Sequence, residues 1–497
     1  MKEIKVDELV IGAGLTGLMY GNTSVDSSYR VAITEAHYKS GGYATNFQRN
    51  KRKYTFDCSQ HKVTGIGEGG NLRDALVRAN LWDKLDFIHF DELAEIHVGG
   101  KAHRLPPDGK SIQAYLEQEF PHQLRGLKQL FNDINTHGYQ NYMFARMLLG
   151  EYTIDRYLLP ESRKLQKITT KEYFRSLFSD KNLVELLGAI AIYLGAIANE
   201  ANAMYFLHYL YAAFETNPAY VKGTGQVISN ALEEGFKEKG GTTHFNNPAT
   251  SIEVENGQIV AVNSKKYRYI TNKVVATCSP KLIIDQLPKE TVPDSYRKQL
   301  NSLQVGWGHI CVYTVLDVAP ESLGITSSEY LIVSEFGDDL TEEDWNSHLR
   351  YEKMTLSVTN SHLLDPKGGK ILKFIILDHK GSWFDLEEDD YLEEKENVQQ
   401  IIIRRVLKTF PQLEGHFEYM ESSTPRTNFK YTSSPEGSAF GYKVLPKENM
   451  RFLNYPPVKG LKFIGGWSTG PGYETGMCLG FTHALLNKKN RDNLILN

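Results

Sequence analysis

The sequence predicts an α/β fold in two parts: a Rossmann-type unit assembled from separated stretches of chain, and a second, mixed α+β unit. Three observations carry this expectation. DELVIGAGLTGLMYG (Asp7 to Gly21) reads as a short apolar strand, a glycine-rich turn and the start of a helix. An elbow of the same build, LKFIGGWSTGPGYETGMCLGF, runs from Leu461 to Phe481 near the other end of the chain. Between them KVVATCSP (Lys273 to Pro280) reads as a β-branched strand stopped by a proline.

In the first stretch the spacing is Gly12-x-Gly14-x-x-Gly17. Gly12 permits a tight turn, Gly14 lets a pyrophosphate approach the backbone, and Gly17 lets helix and strand pack closely. Leu15 and Thr16 open the helix, whose free N–H groups and positive dipole end suit phosphate. The following strand, YRVAITE, ends in Glu35 beside Ala36, 18 residues after Gly17 and placed to accept hydrogen bonds from a ribose diol. Next come Gly41, Gly42 and Tyr43 in AHYKSGGYATNF. A second glycine pair here suits a cofactor that runs further through the protein than NAD does, so the unit reads as FAD-binding. GIGEGG (Gly65, Gly67, Gly70) repeats the spacing, but CSQHKVT before it is not a continuous apolar strand. It reads as a loop that turns or closes over the flavin, and no separate NAD(P) site is expected.

The length, 497 residues, suits two or three structural units or one large two-part enzyme. A net charge of −4 with no basic block gives no reason to expect nucleic acid. Cys58, Cys278, Cys311 and Cys478 are far apart and form no CxxC pair, so neither a disulfide framework nor a metal site is expected, and the compartment reads as reducing and cytoplasmic. The N-terminus enters a strand at once, with no signal peptide. The apolar run LLGAIAIYLGAIA, residues 186–198, is too short to span a bilayer. It reads as a buried helix; a membrane-facing or tunnel-lining helix is the second reading, and with it peripheral membrane contact.

Residues 106–215 read as largely helical, with YFLHYLYAAF (Tyr205 to Phe214) as core. An amphipathic helix ending in Gly240-Gly241 follows, then two strands around Glu255-Asn256-Gly257. HICVYTVLDV and KILKFIILDH read as further strands, and FDLEEDDYLEEKENVQQIIIRRVL as a helix with a solvated acidic face. The expected division gives 1–105, 220–288 and 426–497 to the FAD-binding domain, and 106–219 and 289–425 to a substrate-binding domain.

DELVIGAGLTGLMYG with Glu35 and Gly41-Gly42, KGTGQVISNALEEGFKEKGG with VVATCSP, and GLKFIGGW with GPGYETGMCLGF resemble, in that order, the phytoene-desaturase-like FAD oxidoreductases. GGYATNF with YTFDCSQHKVTG (Phe47, Phe56, Asp57, His61), and RTNFKYTSSPEGSAFGYKVLP, resemble its carotenoid-isomerase and retinol-saturase branch. The resemblance implies a flavin enzyme acting on C–C or C=C bonds of a lipophilic, often polyene, small molecule. It places Gly465 and Gly466 by the FAD chain, and a helix start with Gly476 and Met477 at the ring edge. It also makes His61 the candidate to face the isoalloxazine and move a proton. Trp467 and Tyr473, beside the elbow, read either as channel lining or as packing. Two departures stand out: Tyr43 where desaturases and amine oxidases often carry arginine, and Gly466 where the family usually has aspartate. Losing that carboxylate removes a hydrogen bond worth about 0.5–1.5 kcal/mol. Two rivals remain on the same scaffold: an amine or amino-acid oxidase, and a non-catalytic binding protein such as the Rab GDP-dissociation inhibitors.

Overall fold

The computed structural model describes residues 1–59, 61–334, 339–379, 381 and 383–495. Its first unit is built on a five-stranded parallel sheet in the order Thr242–His244, Val31–Thr34, Glu8–Ile11, Val274–Ala276, Leu461–Phe463. Strands from the start, middle and end of the chain therefore share one sheet, as the two glycine elbows and VVATCSP imply. The three central strands are buried along their whole length, because helices and a second sheet cover both faces. On one side Leu18, Ile228, Phe236, Met477 and Phe481 pack from the helices Leu15–Ser24, Gly225–Glu238 and Tyr473–Ile495. On the other lies a four-stranded sheet, Lys2–Lys5, Tyr267–Ile270, Gln258–Ser264, Ala249–Glu255. Its last two strands form the expected hairpin, with Asn256 (φ 51°) and Gly257 (φ 73°) in the left-handed turn that matches strand twist.

The second unit rests on a seven-stranded sheet ordered Phe417–Ser423, Gly308–Leu316, Ile371–Asp378, Leu356–Asn360, Glu329–Ile332, Ala94–Val98, Lys101–Leu105. The last two strands fall inside the stretch 1–105 expected in the first unit; their pairing is with the second sheet instead. That long-range pairing, through Tyr330↔Glu95 and Leu331↔Ile96, leaves no trace in local spacing.

One face of this sheet buries Val312, Phe374, Ile376 and Val358 against the helical layer, where Phe174, Leu186, Phe206 and Leu210 lie. The helix Glu388–Thr409 turns Val398, Ile402 and Val406 inward and leaves Glu388, Asp389, Asp390 and Glu393 exposed. The opposite face is mixed: Cys311, Tyr313, Val315, Ile371 and Ile375 form a small apolar cluster with Tyr54 and Phe56, beside a polar row. The register sets Glu329 opposite Thr359, Thr359 opposite Lys373, and Lys373 opposite Tyr313, with His309 and Cys311 further along.

The apolar run 186–198 lies in the interior. The helix Lys181–Ala189 tightens into a 3₁₀ turn, Ile190–Leu194, and stops at Gly195 (φ 60°), where a Cβ would stand 2.0 Å from the Phe440 ring. No helix among the described residues is long and apolar enough to cross a membrane.

Candidate active site

The strand Glu8–Ile11 ends on Gly12 at φ 106°, a conformation side chains resist, and the helix starts at Leu15. The Glu35 carboxylate folds back over this turn. Its Oε2 accepts from Ala13 N–H at 2.6 Å and its Oε1 from His37 N–H at 2.7 Å. Burial raises its carboxyl above the ordinary value, and these two N–H groups oppose that rise. Ala36 is exposed beside it. The double glycine closes on the same turn: Gly41 N–H donates to the Ala13 carbonyl at 2.8 Å, and a Cβ on Gly42 would lie 3.5 Å from Gly14 Cα.

Gly14 itself faces open space, with nothing within 4 Å of a would-be Cβ. The first-turn N–H groups of Leu15 and Thr16 have no acceptor within their own helix. An open cradle, unspent donors and a carboxylate one strand away are what the ribose and pyrophosphate of a dinucleotide require, so the residues present fit that group.

The second elbow sits against the first. Gly465 (φ 107°) follows the strand Leu461–Phe463, and its carbonyl accepts from Ser468 and Thr469. Cβ atoms at Gly465 and Gly476 would stand 3.0 and 2.9 Å from Thr16 Oγ1, so Thr16 is wedged between elbow and C-terminal helix. Gly466 is roomy, its would-be Cβ 3.6 Å from Pro471 Cα. Met477 is buried in the helix core. Trp467 is packed edge-on against Tyr442 with centroids 5.0 Å apart, and it belongs to the core rather than to a channel.

Tyr473, the first residue of the C-terminal helix, shares a hydrogen bond with Ser59 Oγ at 2.9 Å. Two residues on, His61 reaches the polar row of the second sheet. Its Nδ1 lies 3.1 Å from Glu329 Oε1 and 3.0 Å from Thr359 Oγ1, and the Thr359 hydroxyl donates to Glu329 Oε2 at 3.2 Å. Glu329 is fully buried, while the His61 side chain keeps 21% of its surface. The Tyr193 ring stands edge-on to His61 at 6.1 Å. Lys62 donates to the Glu92 carbonyl at 3.1 Å and lies over the Phe90 ring; burial lowers its ammonium to about 7, against the pull of Glu329 and Glu92.

Tyr43 occupies the place where an arginine was the alternative. Its hydroxyl donates to the Ser438 carbonyl at 3.0 Å and its ring faces His309 at 6.3 Å. Burial pushes the His309 imidazole down to about 4, helped by the nearby His61 and Lys373 side chains. Phe47 and Phe56 pack on Tyr313 in a small aromatic core, and Asp57 accepts from Gly225 N–H at 2.5 Å.

Glycine amides of the GIGEGG loop, and the amide of Asn71 just after it, are committed. Gly65 N–H donates to Thr216 Oγ1, Gly67 N–H to the Thr216 carbonyl, and Asn71 N–H to the Tyr142 hydroxyl. A Cβ on Gly65 would strike the Glu474 carboxyl at 2.1 Å, so this glycine serves packing rather than phosphate. Among the described residues no group of three His, Cys, Asp or Glu side chains could hold a metal.

Sequence reasoning missed Glu329, Thr359, Tyr193 and Glu474. A glutamate in the apolar strand Glu329–Ile332 was the one local signal, because a buried carboxylate requires a partner.

A family model described as an NAD(P)-binding Rossmann-like domain matches residues 10–79. All-trans-retinol 13,14-reductase of Danio rerio is 22% identical, covering 99% of this chain and 86% of that one. The chloroplastic prolycopene isomerase of Daucus carota is 23% identical over 92% and 76% of the two chains. Among solved structures, putrescine oxidase superposes with a TM-score of 0.67 at 14% identity, over 98% of this chain and 100% of that one, which establishes the shared fold. The chain is a distant, full-length homologue of the retinol 13,14-reductases and prolycopene isomerases, with a dinucleotide-binding Rossmann-like domain at its N-terminal end.

Proposed function

We propose that this chain is an FAD-dependent oxidoreductase acting on C–C or C=C bonds of a lipophilic, unsaturated small molecule of the carotenoid, retinoid or polyene type, as a desaturase, saturase or flavin-assisted isomerase. The observation that carries it is the contact of Thr16 with both Gly465 and Gly476. It makes the two elbows one continuous cradle, running from Glu35 past Gly14 to the N-terminus of the helix Tyr473–Ile495. Such a cradle suits one long dinucleotide rather than two short ones.

Bound there, FAD would supply hydride exchange at its ring. Glu35 would accept from the ribose hydroxyls, and Gly12, Gly14, Gly17, Leu15 and Thr16 would present backbone to the pyrophosphate. Ala36, Gly41, Gly42 and Tyr43 would close the cradle, with Gly465 and Gly466 beside it. The helix starts at Tyr473, so Gly476, whose N–H is spent on the Gly472 carbonyl, and the buried Met477 would serve by packing that helix against Thr16. His61, two residues beyond Ser59, the hydrogen-bond partner of Tyr473, holds or moves a proton. The relatives named for retinol and prolycopene support the substrate class. Leu194, Ala196, Tyr205, Trp307, Phe440 and Pro471 enclose about 20 Å³ next to the elbow, room for about one water, so a polyene must part these side chains to enter that way.

The test begins with the visible spectrum of the purified protein after addition of FAD. A colourless protein sinks the flavin reading. The reduced protein is then incubated without oxygen with all-trans-retinol or prolycopene, and the products are separated by chromatography. A change in polyene absorbance supports the substrate class. Hydrogen peroxide release with amines, and no change in either polyene, would move the assignment to the amine-oxidase alternative.

A further inference from the structure

His61 comes from the first unit, Glu329 and Thr359 from adjacent strands of the second, and the three meet at the junction of the two sheets. The Thr359 hydroxyl spends its hydrogen on Glu329 Oε2, so its oxygen faces Nδ1 as an acceptor. Glu329 Oε1 is a second acceptor at the same ring nitrogen. Two acceptors at one nitrogen require that nitrogen to carry the hydrogen. Among the described residues Nε2 has no hydrogen-bond partner; Lys62 feels the Glu329 charge, but its Nζ donates to the Glu92 carbonyl and forms no ion pair with Glu329. Beside the ring, the Tyr193 hydroxyl is buried and lacks a partner among the described residues, an unspent polar group at the same spot.

We propose that Glu329 and Thr359 are positioning residues for His61, holding the imidazole as its Nδ1–H tautomer so that Nε2 is the atom that exchanges a proton with the ligand, with Tyr193 as the neighbouring hydrogen-bonding group. A proton taken up at Nε2 gives an imidazolium whose charge the buried Glu329 carboxylate balances in direct contact. The same proton returns to the ligand without net change in the protein. The use of this proton rests on the flavin reading above; the geometry of the pair does not.

The experiment is ¹⁵N magnetic resonance of the full-length, FAD-treated protein with labelled histidine, His61 being assigned by the signal lost in His61→Asn. In the wild type, neutral His61 shows the Nδ1–H pattern. In Glu329→Gln, whose amide can donate to Nδ1, the pattern swaps to Nε2–H while the other histidine signals stay in place. Thr359→Val, which keeps the shape and loses one acceptor, gives a mixture. A wild-type His61 in the Nε2–H form, or a tautomer indifferent to both substitutions, overturns the proposal. FAD retention is read on the same samples. A colourless protein with the expected tautomer overturns the flavin reading alone, and a yellow protein with the wrong tautomer overturns the positioning role alone.

Discussion

Gly17 passes so close to Gly12 that a Cβ on Gly17 would stand 2.0 Å from the Gly12 carbonyl oxygen. A backbone atom cannot swing aside as a side chain can, so Gly17→Ala forces helix and strand apart. The expected cost is about 3 kcal/mol, the upper end for over-packing. Gly14→Ala makes the opposite case. Its backbone (φ −73°) accepts alanine and its methyl meets nothing within 4 Å, so stability is unchanged. On the proposed function that methyl takes the space of the pyrophosphate, and FAD affinity is expected to fall about tenfold or more, ~1.4 kcal/mol. Denaturant midpoints and FAD titration of both variants check the contrast. Two variants that lose stability equally would contradict it.

That contrast also shows what was legible in the sequence. Gly12, Gly17 and Glu35 could be read because their constraints are local: a turn, a close approach, and a carboxylate at a fixed distance along a βαβ unit. The nearness of the second elbow to Thr16 could not be read, since nothing in the spacing of Gly465 and Gly476 reports which helix they touch. The Glu329–Thr359–His61 cluster is harder still, because it depends on cross-strand register and on the docking of two units. The run 186–198 read correctly as buried, but its helix ends early. The left-handed Gly195 under Phe440 is imposed by a contact 245 residues away in sequence.

Glu35→Ala removes the acceptor over the Ala13 turn and leaves Ala13 N–H without its partner. On the proposed function, losing this acceptor for the ribose hydroxyls is expected to weaken FAD by about 2 kcal/mol, roughly thirtyfold. Fluorescence titration of free FAD measures it. Retention equal to wild type would remove Glu35 from the site.

At Gly466 the backbone is not left-handed, and a side chain would meet only ordinary contacts, Pro471 Cα at 3.6 Å and the Gly470 carbonyl at 3.8 Å. Gly466→Asp is therefore expected to fold normally and to tighten FAD binding by about 0.5–1.5 kcal/mol, the worth of one added hydrogen bond. The measurement is the FAD dissociation constant of the variant beside that of the wild type. A variant that folds but binds FAD more weakly would show that the glycine is there to keep a carboxylate out.

His309 and Glu474 place opposite demands on pH. Burial, with His61 and Lys373 nearby, holds His309 down to about 4 from an ordinary 6.5. The unfolded chain then binds more protons in that window, so stability is present above pH 6.5 and is lost as pH falls toward 4. Glu474 is the reverse. It lies buried in the first turn of the C-terminal helix, accepting from Thr64 and Tyr142, and burial pushes its carboxyl up to about 7 from 4.5. Here the folded state holds the proton more tightly, so the contribution is complete below pH 4.5 and is lost as pH rises through 7, by about 3 kcal/mol. Glu474→Gln keeps the shape and cannot ionise. Its stability relative to wild type should therefore rise by up to about 3 kcal/mol between pH 5 and pH 8, while His309→Gln should gain relative to wild type only on the acid side. Urea midpoints at four pH values separate the two. If the Glu474→Gln difference stayed constant across that range, Glu474 would not be held as the neutral acid at the start of the helix.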